Sequence, residues 1–190
     1  MCRLGFIYST VRAGKSTRAI FLKKRLLKYQ VSTLLMAPTV THGSDIALYD
    51  YLIGKDENIF LTIKKQFFKV KLLVIDDAHL LNEVQIDQLL QVVVNLHIAV
   101  ICFGLRTDFR TSGFSGARRL LELAQVIEEM PTYCSCGRKA LFSVRKENGK
   151  TTFCGDKILK GQSVSYEALC PECYYRKLIQ YKKLKESGRL

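Results

Sequence analysis

Ser9-Thr10-Val11-Arg12-Ala13-Gly14-Lys15-Ser16-Thr17 is the stretch on which the fold turns. It follows a short apolar run, Leu4–Tyr8, that reads as a buried strand. It opens a segment, Gly14 to Tyr29, in which Ala19, Ile20, Leu22, Leu26 and Leu27 share one side and Arg18, Lys23, Lys24 and Lys28 lie outside, the pattern of a helix. Strand, tight loop and helix form the setting in which Gly-Lys-Ser binds phosphate. The turn aims successive backbone N–H groups at phosphate oxygens, and the helix N-terminus adds positive potential. The pattern is a Walker A loop with Ser9 where the first glycine is usual. In such a loop Lys15 reaches the β and γ phosphates of ATP and the Ser16 hydroxyl ligates Mg²⁺. Ser9 through Thr17 are therefore candidate ATP-binding residues, although Arg12 reads equally well as a solvated loop charge.

The rest of the chain to residue 131 repeats the alternation. Thr33–Ala37, Leu72–Ile75, Ile98–Phe103 and Val126–Met130 read as further strands. Asn82, with Gln85 three residues on, caps a helix to about Asn95, and Arg118–Ala124 reads as a short helix. Residues 38–54 read as irregular or partly helical, and 104–116 as a polar loop long enough to be functional. Continuous apolar strands between helices predict an α/β fold, a P-loop parallel sheet flanked by helices. Character changes at Pro131. The remainder is cysteine-bearing and β-like and shows no long periodic segment. The expected domains are 1–131, nucleotide-binding, and 132–190, a small C-terminal lobe with a basic tail.

Leu73-Val74-Ile75-Asp76-Asp77 puts two carboxylates at the C-terminal end of a strand, the edge where parallel sheets bind ligands. Asp76 is placed to hold Mg²⁺ as a Walker B carboxylate, and Asp77 to act as general base. Either residue also fits a turn or a helix cap. His79 reads as a structural hydrogen-bonding histidine or a second polar contact.

Charge and cysteines narrow the class. Thirty Lys and Arg against 17 Asp and Glu give +13, with +8 in residues 1–37, −3 in 38–131 and +8 in 132–190. An anionic partner is expected, and nucleic acid is a candidate for the basic ends. No apolar run is long enough to span a membrane, and no signal peptide is read at the start, which predicts a cytoplasmic protein with no membrane partner. Among seven cysteines, Cys134/Cys136 and Cys170/Cys173 form two close pairs with 33 residues between them. In a reducing compartment such pairs predict a structural Zn²⁺ site with four thiolate ligands rather than disulfides. Cys102, in an apolar strand, reads as packing.

Several of these motifs together resemble the type II thymidine kinases, in their bacterial and phage form. Tyr8 to Thr17 is similar to the family loop, in which Ser or Ala also replaces the first glycine. Gly104-Leu105-Arg106-Thr107-Asp108-Phe109-Arg110 is the most specific match, and Phe114 follows at the family spacing. Cys134-Ser135-Cys136-Gly137-Arg138-Lys139-Ala140 is similar to the first zinc half. Gly161 to Cys173, with Tyr166 four residues before Cys170, is similar to the end of a substrate-covering lasso and the second zinc half.

The resemblance implies phosphoryl transfer from ATP to the 5′-hydroxyl of thymidine in an oligomer, a tetramer or dimer. It implies that Leu105, Phe109 and Phe114 wall the thymine ring, that Tyr166 and its neighbours close over the base, and that Ser143 sits near the base's methyl side. It implies that Asp77 takes the hydroxyl proton and that Arg106 or Arg110 helps position phosphates. The chain departs from the family at Asp77, where Glu is usual, at His79, where Gln is usual, and at Pro38 to Gly43, which lacks an Asp-x-Arg motif. Those departures, with the +13 charge, define the alternative: a diverged, weakly active or inactive relative that binds nucleotide and serves as a nucleic-acid- or protein-binding module.

Overall fold

The computed structural model describes residues 3–40, 46–157 and 163–188. Its elements run β1 (Leu4–Ser9), α1 (Lys15–Lys28), β2 (Thr33–Pro38), β3 (Tyr51–Ile53), α2 (Ile59–Gln66), β4 (Leu72–Ile75), α3 (Glu83–Leu96), β5 (Ala99–Leu105), α4 (Ser115–Leu123), β6 (Val126–Glu129), β7 (Phe142–Glu147), β8 (Lys150–Thr152), β9 (Val164–Leu169) and α5 (Pro171–Glu186), with single 3₁₀ turns at Ile46–Leu48 and Ala78–Leu80. The chain divides into two compact units. One holds residues 1–8, 14–106 and 114–130, and the other holds 9–13, 107–113 and 131–190.

The first unit is the expected α/β sheet. Six strands lie in the order β3-β2-β4-β5-β1-β6. Parallel ladders join β1 to β6, β2 to β3 and β4, and β4 to β5. The strands are apolar on both faces because helices cover them: Leu4, Phe6, Leu35, Met36, Leu73, Val74, Ile75 and Val100 are fully buried. Each such side chain contributes on the order of 2 kcal/mol of burial free energy. The Asn82 cap is a full capping box, with its side chain accepting from Gln85 N and the Gln85 side chain accepting from Asn82 N.

Two elements escaped the sequence pattern. β3 is only three residues long, too short for alternation to register. α2 is held by Asn58, whose side chain accepts from Leu61 N at 3.0 Å, and its eight residues give barely two turns of periodicity. α4 begins at Ser115 rather than Arg118, and Gly116 permits that start. A Cβ there would lie 2.4 Å from Leu81 O and 3.0 Å from Ala78 O. Gly116→Ala must push α4 off the turn that follows β4. Urea denaturation is expected to show a loss of about 2 kcal/mol or more.

The second unit has its own core: Cys134, Ala140, Val144, Phe153, Leu169, Cys170 and Tyr174. Its sheet is antiparallel in the order β8-β7-β9. Asn148-Gly149 makes the two-residue β7–β8 turn, with φ of 49° and 77°, as the right-handed twist of the strands requires. The expectation that this part of the chain lacks a long periodic segment is wrong. α5 runs for sixteen residues. Pro171 occupies its first turn beside Glu172, Lys183 and Lys185 lie in its last, and Tyr174, Leu178 and Tyr181 form the stripe that packs on the core. Arg176 and Lys177 within the stripe, and Lys182, Lys183 and Lys185 just after it, hide it in the sequence. No helix among the described residues is long and apolar enough to cross a membrane.

Candidate active site

In the first unit the chemistry gathers at the C-terminal ends of the strands. Gly14 stands before α1 with φ 77°, a left-handed conformation that glycine adopts without strain. A Cβ there would meet only ordinary contact, so the backbone and not the space selects glycine. Lys15 opens the helix at 8% exposure. Burial lowers its pKa, while Asp77 and then Asp76 act in the opposite direction. The two carboxylates thus offset part of the desolvation that disfavours the buried ammonium.

Asp76 is fully buried at the end of β4, and both of its oxygens have protein donors. Oδ1 accepts from Asp77 N at 3.0 Å and Oδ2 from the Tyr49 hydroxyl at 2.9 Å. Each oxygen keeps a second lone pair, which suits a carboxylate that holds a cation in fixed orientation. Asp77 sits in the left-handed region, φ 50° and ψ 32°, with its side chain 23% exposed. Aspartate tolerates this conformation better than most residues. His79 is buried and its ring meets Phe114 edge-on at 4.5 Å. Burial, aided by Lys15, draws its pKa down to about 3, so the imidazole is neutral. Its Nδ1 lies 3.9 Å from Asp77 Oδ1 and has no hydrogen-bond partner. Leu105 is half-buried at the end of β5, and Phe114 is a core residue that precedes α4. Arg106 lies over the Tyr8 ring at 5.6 Å.

In the second unit one face of a small sheet gathers the rest. Ser143 and Arg145 are two apart on β7 and share a face, and Tyr166 on β9 stands directly opposite Arg145. The resemblance places Tyr166 on a lasso loop, whereas the structure places it within a strand; part of the lasso, Gly161 and Gln162, lies outside the described residues. Ser143 Oγ accepts from Val11 N at 3.3 Å, which ties the phosphate loop's Val11 to the same face. Ser9 Oγ and Thr132 Oγ1 are 2.9 Å apart. Arg12, exposed at φ 60°, is a second left-handed residue of the loop. Phe109 is buried beneath the Arg145 guanidinium, 4.0 Å from the ring centre. Arg110, one of the two arginines offered for phosphate positioning, is held by Asp108 and by Gly155 O at 3.1 Å.

The four cysteines converge. Their sulfurs all lie within 4.8 Å of one another, and Cys136 and Cys170 are 3.6 Å apart. A tetrahedral zinc with Zn–S near 2.3 Å sets its sulfurs about 3.8 Å apart, so the donor set fits zinc. Cys136 is drawn down to about 6, chiefly by Arg138, while Cys173 is pushed up to about 12 by its neighbours, Cys170 first. Four thiolates this close repel one another, and a divalent cation resolves the conflict. The second pair sits on the start of α5 rather than on a free turn, with Cys170 as the residue before the helix and Cys173 in its first turn.

Comparison with known proteins matches this arrangement. The thymidine kinase family model covers residues 2–174. The chain belongs to the thymidine kinase family. A thymidine kinase of Mannheimia succiniciproducens is 36% identical over 90% of this chain and 93% of its own length. One from Haemophilus influenzae is 35% identical over 95% of this chain and its own full length, and one from Legionella pneumophila is 33% identical over 93% and 90%. Relatives of that name across nine-tenths of the chain favour the kinase over the binding-module alternative.

Tyr49, Arg145 and Tyr174 touch candidate site residues, Asp76 and Phe109, and nothing in the sequence pattern singled them out. Tyr49 lies in a stretch with no motif and reaches Asp76 only through the fold. Arg145 is masked by the alternation of β7, where a charged residue reads as solvent-facing. Tyr174 follows Cys173 directly, and that adjacency was the available signal.

Proposed function

We propose that this member of the thymidine kinase family transfers the γ-phosphoryl group of ATP to the 5′-hydroxyl of thymidine. The observation that supports this reading most is the buried Lys15 beside Asp76 and Asp77 in a chain of this family. The loop amides of Ser9 through Gly14, with Lys15, hold the phosphates, and Thr17 and Ser16 lie in the first turn that faces them. Ser16 and Asp76 would hold Mg²⁺, which would supply positive charge to offset the charge of the phosphates. Asp77 accepts the proton of the attacking hydroxyl. Leu105, Phe109 and Phe114 wall the base, with Ser143 and Tyr166 completing its surroundings. Cys134, Cys136, Cys170 and Cys173 hold a structural Zn²⁺.

We further place the protein in the cytoplasm, as a homo-oligomer. An open groove of about 550 Å³ beside α1, floored by Ile7, Ile101 and Phe103 and rimmed by the exposed Phe21, is a surface suited to a second copy. Nucleic acid stays a proposed partner of the basic ends on charge alone. Several of those cations already serve the fold: Arg18 pairs with Glu128, Lys23 with Asp50, Arg138 with Glu172 and Lys177 with Glu167.

The test is formation of labelled thymidine monophosphate from labelled thymidine, ATP and Mg²⁺. Asp77→Asn is expected to lower kcat by at least about 10²-fold, the usual yield of a positioned base. Asp77→Glu, which lengthens the arm by one methylene, is expected to keep or raise turnover. An Asn variant within about tenfold of the parent would remove Asp77 from the base role.

A further inference from the structure

Among the described residues Arg145 is the largest fully buried side chain, at 1% exposure. A buried guanidinium is costly unless its donors are met, and such groups persist where they fix a geometry. Its Nη1 donates to Asp156 O and its Nη2 to Cys154 O, each at 2.6 Å, and Glu147 pairs with Nη2 at 2.7 Å. The intervening carbonyl, Gly155 O, accepts from Arg110 Nη1. Three consecutive carbonyls, 154 to 156, are thus held by two arginines. Gly155 is shaped for this grip. Its φ is 99°, and a Cβ would lie 2.5 Å from Arg145 Nη2.

The same guanidinium lies over Phe109, 4.0 Å from its ring centre, and Arg110 stands 5.3 Å from that ring. Tyr174 adds a third hold, its hydroxyl donating to Phe109 O at 3.0 Å in a buried bond. Asp108 fixes the turn that carries Phe109 by accepting from Arg110 N and Ser112 N, both at 2.9 Å. Phe109 is therefore held at its ring, its carbonyl and its turn.

We propose that Arg145 and Arg110 form a carbonyl clamp that positions Phe109 for the nucleoside, so that Arg145 is a specificity-determining positioning residue for thymidine and not for ATP. This rests on the reading of Phe109 as a wall of the thymine pocket. Arg145 touches no reacting atom. Its contribution is that the aromatic wall and the 154–156 segment cannot move apart.

The experiment compares Phe109→Ala, Arg145→Met and Arg145→Lys by steady-state kinetics with each substrate varied. Arg145→Met is expected to raise the thymidine KM roughly tenfold or more while the ATP KM stays within about twofold. Arg145→Lys keeps the charge but cannot bridge two carbonyls and stack, so it is expected to show most of the same rise. It also serves if the Met variant fails to fold. Hydrogen exchange in a peptide covering residues 107–113 is expected to quicken in the Lys variant. A merely structural arginine would lower the active fraction, and hence kcat, with both KM values unmoved; that result, or unchanged exchange, overturns the clamp. If Phe109→Ala raises the thymidine KM and the Arg145 variants do not, the clamp alone fails. If Phe109→Ala leaves that KM unchanged, the reading of the pocket wall fails and takes the clamp with it.

Discussion

Lys15→Ala is expected to lower kcat/KM for ATP by about 10³-fold or more, the scale of losing a preorganised donor at a transferring phosphoryl group. The argument starts from burial. At 8% exposure Lys15 is largely stripped of water, and burial acts against its charge. Asp77 and Asp76 offset that cost, and a γ-phosphate would offset more of it. An ammonium held this way costs no solvent reorganisation as charge develops on the phosphoryl oxygens. Alanine removes that charge and leaves Asp76, which is fully buried, and Asp77 without their shared cation. Lys15→Arg is not expected to restore activity, because a planar guanidinium fills more space and directs its donors differently. Steady-state assays with thymidine saturating, together with ATP titration calorimetry, check both. Activity of the alanine variant within about tenfold of the parent would mean that another cation carries the phosphates.

Much of the first unit was legible because its signals are local. A loop that needs Gly14, a lysine and a hydroxyl in fixed order is written in consecutive residues. So are the apolar strands around it and the Asn82–Gln85 box. What stayed hidden depends on distance along the chain. Tyr49 reaches Asp76 only because β2 and β4 are neighbours in the sheet, which brings the segment after β2 to that carboxylate. Arg145 looks like a surface charge until β7 is laid beside β9 and the 154–156 segment folds back over it. Arg110 shows contacts that its motif does not announce. Its place in a motif suggested phosphates, and its actual partners are Asp108 and a carbonyl. The helix α5 was missed because charge density obscured three well-spaced apolar residues. The cysteine pairs were legible as a cluster, yet their consequence for Phe109 was not.

Zinc removal is expected to abolish thymidine binding as well as to unfold the second unit. The four sulfurs connect the turn at residues 134–136 to the start of α5. A structural zinc of this type contributes on the order of 10 kcal/mol to the fold that it closes. The core it supports is small, and two of its buried members, Cys134 and Cys170, belong to the cysteine cluster itself. Tyr174 is the next residue after Cys173, and its hydroxyl holds Phe109 O. Its ring also packs 5.0 Å from Phe142 and 5.4 Å from Phe153. Releasing α5 therefore frees the aromatic cluster and Phe109 in one event. The sheet of the first unit has a separate core, which includes none of the four clustered cysteines. The expected result is a two-stage response to a strong chelator followed by circular dichroism and hydrogen exchange. Peptides from residues 131–157 and 163–188 lose protection as zinc leaves, while those of β1, β4 and β5 keep theirs. Cys170→Ser, which removes a buried ligand, is expected to reproduce the loss with zinc content below about one per chain by elemental analysis. Thymidine binding, read by calorimetry, disappears in step with protection of the 107–113 peptide. Retention of full thymidine affinity in zinc-free protein would separate the metal from the nucleoside site and show that Phe109 is held without α5.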